Sequence, residues 1–210
     1  MTATTPIPEP SDVRERIAAG LERGFAAHGF AGRSVNELRD WSGVSLRTLY
    51  KYFPSRESMV VGALEYRDRS YTHWLAGGPG DGVGHILHPL FRLRDWMDQV
   101  ANIGCLYMNA LSEYPDSTAV AAVVSAHKDR MAGEFLRRLD RVAPGRDNRR
   151  LADTLFLLHE GMSQAARHQG VATATDAAIH AARAALAGEG LVADDTGIVD
   201  RVGRKDGAHQ

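Results

Sequence analysis

Three serines at helix-start positions, Ser34, Ser45 and Ser55, with a glycine turn between the first two, constrain the stretch Ser34 to Glu57 more than any other part of the chain. Ser34 has Glu37 three residues on. This is the capping-box spacing, in which hydroxyl and carboxylate each satisfy an orphan amide. Ser42-Gly43-Val44 reads as a tight turn, because a sharp corner between helices favours a backbone at positive φ and glycine adopts it freely. Ser45 caps a third short helix running to about Phe53. Pro54-Ser55 ends that helix and opens a fourth, which continues to about Leu75. Two short helices across such a turn make a helix-turn-helix. Val35 and Leu38 give the first its inner face, with Trp41 near its end. On the second, Leu46, Leu49 and Phe53 are spaced to face inward, leaving Arg47, Thr48, Lys51 and Tyr52 outward.

The rest of the chain reads as helix. Ser11 offers an N-cap for a first helix carrying Val13, Ile17, Leu21 and Phe25, closed by His28-Gly29. The run Gly77 to Gly82 is a break, and helical spacing resumes near Val83, with Pro89 expected to kink that helix or mark its first turn. Tyr114-Pro115-Asp116 is a boundary, with Ser117 as the next cap. A long helix follows from Val120 to Val142 and ends at Ala143-Pro144-Gly145. Another carries Leu151, Leu155, Leu158 and Met162 to about Gly170, and an alanine-rich helix spans about Asp176 to Ala187. No segment alternates convincingly at period two. The expectation is an all-α chain: a helix-turn-helix domain over 11–56, a larger helical domain over 57–190, and a flexible tail over 191–210.

Lys and Arg total 25 against 26 Asp and Glu, a net charge of −1. Any contact with DNA must therefore come from a local basic surface. Such a surface exists: between Val44 and Arg56 stand Arg47, Lys51 and Arg56 and no acidic residue. A basic, hydroxyl- and aromatic-bearing helix suits a major groove flanked by phosphates. The single cysteine, Cys105, excludes an intrachain disulfide and any Cys-x-x-Cys metal or redox pair. Neither a signal peptide nor a long apolar run is evident, so the expected setting is cytoplasmic, without membrane contact.

The run Gly29-Phe30, Ser34-Val35, Leu38, Gly43-Val44-Ser45, Thr48-Leu49-Tyr50, Tyr52-Phe53 and Ser55-Arg56-Glu57 resembles the N-terminal signature of TetR-family regulators. The likeness covers roughly residues 11–65. It implies a repressor that binds a double-stranded operator as a homodimer and is released by a small-molecule effector. It also implies roles for Ser34, Ser45, Thr48, Tyr50, Tyr52 and Arg56 at the DNA backbone, with Leu46, Arg47 and Lys51 at the positions that face bases. Arg47 and Lys51 can donate to guanine O6 and N7, whereas Leu46 can only touch a thymine methyl. Arg39 and Ser42 depart from the small residues usual in the second helix. Arg39 must snorkel outward or find a carboxylate such as Asp40 or Glu37.

Farther on, Gly104-Cys105 with Asn109-Ala110, Glu113 and Pro115-Asp116 is similar to a G-C-x-x-x-N-A-x-x-E-x-P-D segment in the regulatory domains of one TetR subgroup. The likeness implies an effector pocket among the central helices and a dimer made by the last two. Candidate pocket residues are Phe91, Trp96, Met97, Cys105, Met108, His127, Met131, Phe156, His159 and Met162, a set suited to a largely apolar ligand. For the dimer, the two final helices carry Leu155, Leu158, Met162, Ala165 and Ala166, then Ala178, Ala182, Ala185 and Leu186, and two such hairpins make a four-helix interface. Small residues there let helices approach closely.

Enzymatic readings find little. His159-Glu160 is not followed by a second histidine, Ser163 standing there instead, and no Gly-x-Ser-x-Gly elbow or phosphate-binding glycine loop occurs. No metal or cofactor is expected. Two alternatives remain on the same fold: a thiol-based redox sensor acting through Cys105, and a constitutive DNA binder without effector.

Overall fold

The computed structural model describes residues 10–32 and 34–192. Among them it holds nine α-helices and no strand: α1 Val13–His28, α2 Val35–Ser42, α3 Leu46–Tyr52, α4 Arg56–Trp74, α5 Gly82–Gln99, α6 Leu106–Glu113, α7 Thr118–Val142, α8 Arg149–Gln169 and α9 Val171–Gly188. The all-α expectation holds. Residues 1–9 and all but Leu191 and Val192 of the expected tail lie outside the described residues.

Six of the nine helices start at a side-chain oxygen cap, the exceptions being α6, α8 and α9. Ser34 and Glu37 form the capping box, Ser45 accepts from the Thr48 amide, and Ser117 accepts from the Val120 amide. At α1 the cap is Asp12 rather than Ser11. The Asp12 carboxylate accepts the Glu15 amide at 2.8 Å, while Ser11 donates its own amide and hydroxyl back to the Glu15 carboxylate. A second correction falls at the C-terminal end. The last helix begins at Val171, not near Asp176. Gly170, at φ 84°, turns the chain at the end of α8, and α9 restarts at once through residues whose β-branched members hid the helical pattern.

Pro89 sits inside α5 rather than in its first turn. A mid-helix proline cannot donate to the carbonyl four residues back, here that of His85. Arg138 Nη1 donates to that carbonyl at 3.0 Å. The same buried guanidinium donates to the Leu75 carbonyl at 3.3 Å, and Arg92 Nε donates to the Trp74 carbonyl at 2.8 Å. Two buried arginines from α5 and α7 thus satisfy the open C-terminal end of α4, where cations are favoured.

Two apolar cores result. One gathers α1, α2, α3 and the first half of α4 around Leu21, Phe25, Leu49 and Phe53, and it extends into α6 and the start of α7 through Leu106, Tyr107 and Val120. The other gathers the end of α4 with α5, α7, α8 and α9 around Trp74, Leu90, Phe135 and Ala182. Helices α4 and α7 each belong to both, and α4 runs continuously from the helix-turn-helix into the larger bundle.

Candidate nucleic-acid interface and effector pocket

Gly43, in the left-handed conformation at φ 66°, ends α2, and its amide donates to the Arg39 and Asp40 carbonyls. The corner is pressed against α1 at one point that sequence inspection passed over. A Cβ on Gly20 would stand 2.4 Å from the Trp41 carbonyl oxygen, so only glycine lets α1 and α2 approach this closely. Gly24, one turn on, makes room for the Trp41 ring. The Gly-x-x-x-Gly spacing was the available signal. Arg39 finds the neighbouring carboxylate it needs, with Nε 2.9 Å from Asp40.

Leu49 and Phe53 anchor α3, both fully buried, and Leu46 is half-buried beside them. The outer face carries Arg47, Tyr50 and Lys51, all exposed, with Ser45 exposed at the cap and Thr48 and Tyr52 half-buried. The Ser45 and Thr48 hydroxyls lie 2.9 Å apart, and Lys51 Nζ stands 5.5 Å from the Tyr52 ring centroid. Ser34, exposed, opens α2 with its hydroxyl in the capping box. Arg47 and Lys51 share the open face of a short, well-capped helix, a geometry that can present two donors to base edges.

Arg56 is placed differently from the rest. It is half-buried, its Nη2 donates to the Phe30 carbonyl at 2.5 Å, and its Nε donates to the Tyr114 hydroxyl at 3.0 Å. Glu57 accepts from the Ser117 hydroxyl. The first turn of α4 is therefore tied both to the loop before α2 and to the loop between α6 and α7.

The ten candidate effector residues are not brought together as one lining. Cys105 lies in the first core; Trp96, Met97, Met131 and Met162 lie in the second, with Phe91 and Phe156 half-buried at its edge. Met108 is on the surface. His127 and His159 are buried and belong to a polar chain running through the bundle. His127 Nδ1 lies 2.8 Å from Asp68, and the His127 ring stacks on Tyr107 at 3.7 Å. His159 Nε2 lies 2.8 Å from the Tyr71 hydroxyl. His159 Nδ1, 3.5 Å from Glu160, has no hydrogen-bond partner among the described residues. Lys128 bridges Glu160 and Cys105, with Nζ 3.1 Å from Sγ.

Burial lowers the His127 pKa against the pull of Asp68. Glu160 is held down at about 2: burial opposes this, and the His159 imidazole and the Lys128 ammonium outweigh it. Burial pushes the Tyr71 and Tyr107 hydroxyls well above the ordinary tyrosine range, so both act only as neutral groups. Among the described residues no cluster of three or more His, Cys, Asp or Glu could hold a metal, and no helix is long and apolar enough to cross a membrane.

The face expected to make a dimer faces inward instead. Leu155, Met162, Ala166, Ala178, Ala182 and Leu186 are all buried within the chain's own second core, and Ala165 and Leu158 pack against it. The small residues serve the close α8–α9 pairing inside one chain. What α8 offers outward is Leu157, 67% exposed, one position from the leucine singled out by spacing.

Residues 17–63 match the sequence model of the bacterial regulatory proteins of the tetR family. No curated protein matches the chain. Among solved structures, SCO4454 of Streptomyces coelicolor, described as a TetR-family transcriptional regulator, superposes with a TM-score of 0.75 at 22% identity over 84% of this chain and 95% of that one. A tetR-type regulator from Streptomyces avermitilis gives a TM-score of 0.70 at 22% identity, covering 86% of this chain and 100% of the other. Escherichia coli NemR in its reduced form gives 0.67 at 21%, covering 88% and 100%. Residues 17–63 are therefore similar to the N-terminal region of bacterial regulatory proteins of the tetR family, and the chain shares its all-α fold with solved TetR-family regulators.

Proposed function

We propose that this protein is a homodimeric, sequence-specific DNA-binding repressor, not an enzyme, and that a small-molecule effector releases it from its operator. The observation that carries the reading is the outer face of α3: Arg47, Tyr50 and Lys51 exposed together on a helix whose inner face is locked by Leu49 and Phe53. The DNA-binding unit is residues 11–56, and the helices of 57–190 bind effector and partner. Ser34, Ser45, Thr48, Tyr50 and Tyr52 hold the DNA backbone, while Arg47 and Lys51 read bases, with Leu46 beside them. Arg56 contributes by fixing the first turn of α4. Two such units read paired half-sites. Selection from random duplexes tests this. The protein should enrich a two-fold symmetric motif with half-sites one helical turn apart, about 34–36 Å. Failure to enrich any motif contradicts the reading.

The effector reading draws support from four buried polar atoms of the bundle that lack a hydrogen-bond partner among the described residues, His88 Nε2, Arg92 Nη2, His159 Nδ1 and Thr175 Oγ1, of which His159 Nδ1 lies 3.5 Å from Glu160. Equal ligand affinity with and without operator would rule out any given candidate effector, because coupling must be reciprocal. A second reading, redox sensing through Cys105, is favoured by one distance: Lys128 Nζ lies 3.1 Å from Sγ. Iodoacetamide labelling of the buried Cys105 at neutral pH tests it. Labelling slowed by Lys128→Met supports the redox reading, and a labelling rate indifferent to Lys128→Met contradicts it.

A further inference from the structure

A cleft of about 830 Å³ opens at the junction of the helix-turn-helix and the larger bundle. Its walls come from α1, the end of α2, the middle of α4 and the last turn of α5. Of the ten residues proposed from sequence as effector contacts, Trp96 alone lines it. The volume is that of a site for a drug-sized molecule.

The walls are largely aromatic and apolar, with Tyr66, Ser70 and Gln99 adding neutral polar groups. Trp41 rests on α1 at Gly24 and stays 38% exposed, while Trp96 closes the inner end beneath the Arg67 guanidinium, 5.2 Å from its ring. Val100, at the end of α5, is 40% exposed. Single exposed hydrophobic residues need no explanation, but Trp41 and Val100 come from different units and line the same concave surface. The charges are unequal. Arg67 and Glu22 neutralise each other at 2.5 Å, both nearly buried. Arg23 is exposed and has no hydrogen bond or ion pair among the described residues. The cleft thus presents two indoles, an aliphatic rim and one uncompensated guanidinium.

We propose that this cleft binds a flat aromatic anion, its ring system between Trp41 and the end of α5 and its anionic group on Arg23. A guanidinium's fork of donors pairs with two oxygens of a carboxylate or of a tetrahedral oxyanion such as a sulfonate. An occupant touches α1 and α2 on one side and α5 on the other. Its affinity therefore depends on the spacing of the DNA-binding unit from the bundle, and by linkage it biases that spacing. As a binding site the cleft stands alone; as a regulatory site it rests on the effector reading above.

The test uses the full chain without DNA and two fluorescent probes, 1-anilinonaphthalene-8-sulfonate and the uncharged N-phenyl-1-naphthylamine. Arg23→Gln should weaken the sulfonate roughly tenfold, as loss of a charge-assisted contact does, and leave the uncharged probe unchanged. Val100→Trp, which adds bulk at an already exposed position, should weaken both while retaining the wild-type thermal melt. No binding to the wild type, or affinities indifferent to both substitutions, would overturn the site. Adding a duplex selected by the wild-type protein separates the two claims. Release of the duplex by the sulfonate in wild type but not in Val100→Trp supports the regulatory role. Unchanged DNA affinity with intact probe binding removes regulation from this cleft and leaves the binding site standing.

Discussion

Arg56 Nε donates to the Tyr114 hydroxyl at 3.0 Å, across 58 residues of chain, and so fastens the first turn of α4 to the loop between α6 and α7. The same guanidinium holds the Phe30 carbonyl, ahead of α2. Removing only the phenolic oxygen, by Tyr114→Phe, should cost about 1 kcal/mol in urea unfolding, the usual net worth of one hydrogen bond. It should leave the salt dependence of DNA binding unchanged, because no cation is lost. A changed salt slope would mean that Tyr114 itself stands at the DNA.

Gly20 sets how closely α1 and α2 meet. In Gly20→Ala the new methyl meets the Trp41 carbonyl at 2.4 Å, a backbone atom that cannot swing aside. Overpacking of this kind costs about 1–3 kcal/mol. Thermal melts should show that loss, and DNA affinity should fall with it, since α2 and α3 move as one corner. A melt equal to wild type would show that the two helices can separate freely.

The residue of α8 that can meet a partner is Leu157, exposed beside the half-buried Leu158. Leu157→Asp places a charge at an exposed site of the single chain, so folding should survive. If α8 faces the partner subunit, that charge is buried on association, and sedimentation should show monomers at micromolar concentration. Ala182→Asp, by contrast, buries a carboxylate in the chain's own core and should unfold it. A Leu157→Asp protein that stays dimeric removes this face of α8 from the interface.

Acid should destabilise the bundle in two stages. The pKa of His127 is lowered in the folded state, chiefly by burial. A histidine with a depressed folded pKa takes up its proton more readily when unfolded, so stability falls as pH drops below the ordinary value near 6.5. Glu160, Asp68 and Glu134 are depressed carboxylates. Their contribution is complete above their ordinary range near 4 to 4.5 and is lost as pH falls toward the folded value, about 2 for Glu160. Urea midpoints measured from pH 7.5 to 3 should decline in both windows, and His127→Asn should shrink the upper one, with the remainder due to His88, whose pKa burial also lowers. A flat profile between pH 7 and 5 in wild type would contradict the histidine assignment.

The helix-turn-helix was legible because its signals are local. Serine caps, a positive-φ glycine and a basic run without acids each act within a few residues, and each is found where spacing put it. The larger bundle was legible as helices but not as faces. Leu155 on α8 and Ala178, Ala182 and Leu186 on α9 mark an apolar surface, yet spacing cannot say whether it meets the chain's own bundle or a second copy. Here it meets the bundle. The scattered effector candidates failed to converge for the same reason: they share softness and size, which is also the chemistry of an ordinary core. The cleft went unseen because its walls come from α1, α2, α4 and α5, a juxtaposition fixed only by tertiary packing.

The account rests most directly on Arg47 and Lys51. A duplex enriched by the wild-type protein, labelled and titrated by fluorescence anisotropy at fixed salt, gives the affinity. Arg47→Ala should cost roughly 1–3 kcal/mol on that duplex and relax base preference at one position in each half-site, as loss of a bidentate guanine contact does. Lys51→Ala should act in the same direction, and the double variant should lose the enriched motif while melting like wild type. A double variant that binds the same duplex as tightly as the wild-type protein would show that α3 is not the helix that reads DNA.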